Sequence, residues 1–157
     1  MRTLTTAFIA ITLTTLFFAS SALAATQVLS VSAKVIGNCA FNSAADVDFG
    51  DLNQNSGSDQ TAKGNLVFWC TKNATYNLSD GEDVAGSGDG TFAGTLLPTG
   101  TSPDTINYSL TYSNFNGDGA GKTSPITSAI TATIVNADYV NVAADTYTDT
   151  VTFTITP

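Results

Sequence analysis

Residues 147–155 read Tyr-Thr-Asp-Thr-Val-Thr-Phe-Thr-Ile, with Tyr147, Val151, Phe153 and Ile155 at odd positions, threonines at even ones, and Asp149 as the single intruder. Successive side chains of a strand point to opposite faces, so this period of two buries one face and wets the other only as β structure. The same period returns in Leu66, Phe68 and Cys70, in Tyr76 and Leu78, in Ile106, Tyr108, Leu110 and Tyr112, and in Ile130, Ala132 and Ile134. Between these runs, residues 53–59, 80–90 and 114–124 are poor in apolar side chains and rich in turn formers, which makes them loops. No amphipathic helix is expected after residue 25. Six or seven short strands at this spacing predict one all-β domain, a β-sandwich of immunoglobulin type.

The chain opens differently. After Met1 and Arg2 comes an apolar stretch containing Phe8, Ile9, Ile11, Leu13, Leu16, Phe17 and Phe18, followed by Ala22-Leu23-Ala24. One positive charge, a short apolar core and small residues at 22 and 24 predict a secretory signal over residues 1–24, cut after Ala24. The remaining chain keeps four lysines against thirteen acids, a formal net charge of −9. Nucleic acid and anionic membranes need a basic surface, so neither is expected as a partner. Export also sets the redox compartment. The two cysteines, Cys39 and Cys70, are expected to form a disulfide there.

Histidine is absent from the sequence, and a disulfide leaves no free thiol. Ser-His and Cys-His nucleophile pairs and histidine-based zinc sites are therefore excluded. Asp46 with Asp48, and Asp145 with Asp149, are carboxylate pairs two and four apart, but nothing in the sequence sets them across a cleft as glycoside hydrolysis requires. Residues 114–123, NFNGDGAGKT, end like a phosphate-binding loop. The first glycine of that motif is replaced by Asn116, and Ser124-Pro125 follows where a helix should open, so no nucleotide site is expected. The acidic loop at 80–90 lacks the ligand spacing of a known calcium loop and reads as a solvated hairpin. No metal, cofactor or catalytic activity is expected. Three Asn-x-Ser/Thr triplets, at Asn73, Asn77 and Asn107, are of the kind that chance supplies in a chain this rich in serine and threonine. Trp69 falls on the outer face by parity, where it is available for subunit contact.

Residues 25–34 form a puzzle. Mature N-termini are usually frayed and polar, yet Leu29, Val31 and Ala33 alternate with Ser30, Ser32 and Lys34, and the parity carries through Val35 and past Gly37 to Cys39 and Phe41. This segment is either the first strand of the sandwich or a strand that pairs with another molecule's sheet, where backbone bonds give affinity and alternate side chains fill pockets. A donor at one end and an acceptor elsewhere extend head to tail into a fibre.

The residues 31–41, VSAKVIGNCAF, then Val47-Asp-Phe-Gly50, Cys70, Gly117-Asp-Gly-Ala-Gly121 and the closing run 145–152, DTYTDTVT, together resemble the spore coat protein U family. That family includes pilin subunits of archaic, Csu-type chaperone-usher pili. The resemblance covers nearly all of residues 25–157. It implies an incomplete immunoglobulin-like sandwich completed by donor-strand exchange, with residues 25–34 as donor and 35–157 as the domain. Leu29, Val31 and Ala33 are then the donor residues. The acceptor groove is edged by Val35 and Phe41 on one side and by Tyr147, Val151, Phe153 and Ile155 on the other, and Cys39–Cys70 ties the first strand to the second. The implied partners are other pilin subunits, a periplasmic chaperone and an outer-membrane usher. The implied role is a surface pilus, exported through the periplasm and serving adhesion and biofilm formation. Lys122 in the glycine-rich loop and Pro157 in place of an aromatic depart from many relatives. The alternatives are a secreted monomeric β-sandwich that binds carbohydrate or protein, and a spore coat component.

Overall fold

A computed structural model describes residues 23–82 and 88–157. The signal expectation over 1–24 and the centre of the acidic loop fall largely outside the described residues. The chain divides into Met1–Ala33 and a body, Lys34–Pro157. From the first of these, residues 23–33 belong to no strand, and Leu29 and Val31 are 84% and 88% exposed.

The body is almost entirely β. Its elements in chain order are β1 (Cys39–Ala45), β2 (Gln60–Cys70), β3 (Thr75–Ser79), β4 (Thr91–Pro98), β5 (Ile106–Tyr112), β6 (Asn116–Asp118), β7 (Ile126–Ile134), the helical turn α1 (Asn136–Tyr139), β8 (Tyr147–Thr148) and β9 (Thr154–Thr156). Six strands make a curled antiparallel half-barrel in the order β1-β2-β7-β5-β4-β8, and a small second sheet runs β6-β3-β9. The long strands are those with the cleanest alternation. Ile106, Tyr108, Leu110 and Tyr112 of β5 are buried, while Asn107, Ser109 and Thr111 are exposed.

The core lies where the small sheet covers the large one. Phe68 is fully buried and meets Tyr76 edge-on at 5.1 Å between ring centroids, and Tyr112 meets Phe153 at 5.2 Å. Such edge-to-face contacts suit the positive rim and negative face of aromatic rings. Cys39 and Cys70 face each other in the β1–β2 register and are joined by a disulfide, which points to an oxidising setting. Among the described residues, no helix is long and apolar enough to cross a membrane.

Four expectations are corrected. The first strand begins at Cys39, so Val35 lies ahead of it, and no strand joins residues 27–35 to β1. The C-terminal run is not one strand. Tyr147 pairs with Pro98 in the large sheet, Ile155 pairs with Leu78 in the small one, and the chain crosses between sheets at residues 149–153. The crossing starts at Asp149, whose carboxylate accepts a 2.7 Å hydrogen bond from the Tyr108 hydroxyl instead of joining a ladder. A further strand, β4, occupies residues with no clean apolar alternation. Finally, the loop at 114–124 contains β6, which pairs with Thr75–Asn77.

Candidate functional site

Among the described residues, β1 is an edge strand hydrogen-bonded only to β2, and five of its seven residues are exposed. On its unpaired side the C-terminal chain approaches closely at one end. A Cβ placed on Gly37 would lie 3.5 Å from Pro157. Moving from Cys39 towards Ala45, the two walls separate around a cleft. Its narrow part, about 310 Å³, is bordered by Phe41, Asn42, Ser43 and Ala44 on one wall and Val151 and Phe153 on the other. Its wide part, about 1230 Å³, lies between residues 44–55 and residues 142–151.

The sheet supplies the floor. Leu66 of β2, Ile130 of β7, Ile106, Tyr108 and Leu110 of β5 and Leu96 of β4 all line the cleft. Local sequence explains how they come together. Gly64 lets the chain leaving β1 cross close above it, since a Cβ there would stand 2.6 Å from the Ala45 carbonyl oxygen. Gly94 lies opposite Tyr108 in the β4–β5 register, and a Cβ there would fall 2.3 Å from the tyrosine ring. The ring therefore rests on bare backbone, as a large side chain across from a strand glycine can. Burial, and then the hydrogen bond to Asp149, push the Tyr108 phenol well above its ordinary pKa, so it stays a neutral donor. At the far end, Gln54 donates to the carbonyls of Tyr139 (3.2 Å) and Val142 (2.6 Å), which fastens the loop after β1 to the helical turn.

Charge is distributed unevenly. Asp46, Asp48, Asp51, Asp145 and Asp149 border the wide part and are exposed, with no lysine or arginine along the lining, whereas the narrow part carries no charge. Among the described residues, no three metal-ligating side chains converge. The cleft offers an apolar floor, an open strand edge and an acidic rim at one end.

The expected site residues fall as follows. Phe41, Val151 and Phe153 border the narrow part, and Tyr147, Val151 and Phe153 line the wide one. Val35 lines neither and is 83% exposed. Ile155 sits in β9 and packs against the core. Leu29, Val31 and Ala33 are exposed outside any strand. The floor was missed as a site, although Leu66, Tyr108, Leu110 and Ile130 carried the strand alternation, and so was the acidic rim. Trp69 is half-buried beside fully buried Phe68, and the Lys122 ammonium lies 5.5 Å from its ring centroid, a cation–π distance.

Comparison with known families matches residues 25–154 to the Spore Coat Protein U domain. Neither the curated proteins nor the solved structures contain a match to this chain.

Proposed function

Because the chain belongs to the Spore Coat Protein U domain family, we propose that it is a structural, non-catalytic pilin subunit. Its body acts as an incomplete immunoglobulin-like sandwich that lacks one strand between β1 and the C-terminal run. A periplasmic chaperone fills this gap first. At the outer-membrane usher, residues 25–34 of the next subunit replace it, with Leu29, Val31 and Ala33 turned to the floor, and the product is a surface pilus that serves adhesion and biofilm formation.

The observation carrying this reading is the cleft itself, an apolar floor beside the unpaired edge of β1. Exposed strand edges invite pairing, and proteins usually blunt or cover them. A strand inserted here would satisfy the free backbone groups of β1 and pack against the cleft lining of Leu66, Leu110 and Ile130, side chains already largely buried. Residues 25–34 match in pattern, alternating and in no strand of their own chain.

Deleting residues 25–34 should abolish the ladder of multimers that a periplasmic preparation gives in unboiled gels. Persistence of the ladder would sink donor-strand assembly. Val31→Asp should stop polymerisation by forcing a charge into the neighbour's apolar cleft, while leaving the subunit's own cleft free to take the chaperone. Loss of chaperone capture by that variant would count against the reading.

A further inference from the structure

We infer that Lys34 of an incoming copy pairs with the acidic rim and thereby fixes the direction and register in which its strand enters the cleft. This rests on the function proposed above and adds to it a residue that orients the insertion.

Residues 25–35 carry a single charged side chain, Lys34, at the end nearest their own body. The cleft carries its charge at one end too, in Asp46, Asp48, Asp51, Asp145 and Asp149. Parity makes the two compatible. With Leu29, Val31 and Ala33 turned to the floor, Lys34 points outward, towards the level at which these exposed carboxylates stand.

Length agrees with parity. Leu29 and Lys34 are five residues apart, about 17 Å in a strand; Phe41 and Asp46 are also five apart, but β1 bulges between Phe41 and Ser43, so the two spans agree to about one residue. A strand running in the same direction as β1 therefore brings Leu29 to within about one residue of Phe41 when Lys34 reaches Asp46. The C-terminal run lies opposite in sense, since Pro157 approaches Gly37 while Val151 lies across from Ala44. The inserted strand is thus parallel to β1 and antiparallel to residues 149–155. Reversed, it would carry Lys34 to Phe41 and Phe153, into the part of the cleft that holds no carboxylate. Charge pairs at a rim select orientation and partner more than they add affinity.

Two measurements on polymers of the full mature chain test this. Zero-length carbodiimide coupling joins only amines and carboxylates in contact. Peptide mapping should find Lys34 linked between copies to one or more of the five rim aspartates. Lys34 linked only to other carboxylates, or unlinked while other lysines react, overturns the inference. In the second, Lys34→Glu should still give ladders, but they should dissociate about tenfold faster at low salt, with the difference shrinking at high salt. Adding Asp46→Lys and Asp48→Lys to that variant should restore the slow rate. An unchanged rate in Lys34→Glu, or no rescue by the reversed rim, refutes the register lock while strand exchange itself stands. If the parent chain gives no ladder, both proposals fall.

Discussion

The two ends of the body are built from the same strands and solve opposite problems. Near the Cys39–Cys70 disulfide, the small sheet closes over the large one and Phe68, Cys70 and Leu78 have no exposure at all. Towards Ala45 and Tyr147, the same β2, β5 and β7 continue, but the C-terminal chain leaves one sheet for the other and the apolar floor borders a cleft. One alternating pattern therefore builds a fully sealed core at one end and, at the other, a floor that is still buried, Leu66 at 7% and Leu110 at 4% exposure, yet borders a cleft. What decides between them is whether a second layer arrives.

The sharpest test of that contrast truncates one residue at each end. Phe68→Ala should lose about 3–5 kcal/mol in chemical unfolding, because the cavity opens where every neighbour is fixed. Leu110→Ala should lose about 2–3 kcal/mol, nearer the low end for core truncations, because its site already borders open space. Equal losses would show that the cleft end is packed as tightly as the sealed end, and the comparison would fail. Removing the disulfide with Cys39→Ser and Cys70→Ser together comes next. The bridge spans 31 residues, and the chain-entropy model gives about 3–4 kcal/mol for such a loop, measurable as a lowered unfolding midpoint.

A pH series probes the open end through Tyr108. Its folded pKa is raised, first by burial and then by Asp149, so its contribution is complete below the ordinary tyrosine value of 10.0 and is lost as pH climbs above it. Stability should fall in alkali, and Tyr108→Phe should flatten that slope. Tyr76 is raised in the same sense by burial and Asp118, and Tyr139 is lowered by its bond to Ser56, so it is the difference between parent and variant that isolates Tyr108. Identical alkaline slopes would discount the Tyr108–Asp149 bond. The smallest effect lies outside both ends. Lys122→Ala should cost about 0.5–1 kcal/mol and change Trp69 fluorescence, and an unaltered spectrum would mean that the cation does not sit on the ring.

Much of this was legible in the sequence because strand period is local information. Leu66, Phe68, Tyr108, Leu110, Ile130 and Ile134 were on the inner face from their spacing alone, and the two cysteines, in a chain expected to be exported, foretold their bond. What escaped depended on partners distant in sequence. β4 hid behind Gly94, whose missing side chain makes sense only beside Tyr108 on the next strand. The C-terminal run splits at Asp149, which the period marked as an intruder, but its hydrogen bond from that same tyrosine is not encoded in residues 147–155. The parity of residues 27–41 carried on unbroken although β1 starts only at Cys39, because a pattern suited to a strand does not specify which sheet receives it.

The position of the disulfide has a mechanical meaning. Cys39 is the first residue of β1, and its partner Cys70 is the last of β2, the strand bonded on its other side to β7. Tension entering along the chain ahead of residue 39 meets the hydrogen bonds of Ile36 and Asn38 to Thr71 and then a covalent crosslink, before it reaches the ladder of the edge strand. The load passes into β2 and is shared as shear along the long β2–β7 ladder, so pulling on the N-terminal side cannot peel β1 away one rung at a time.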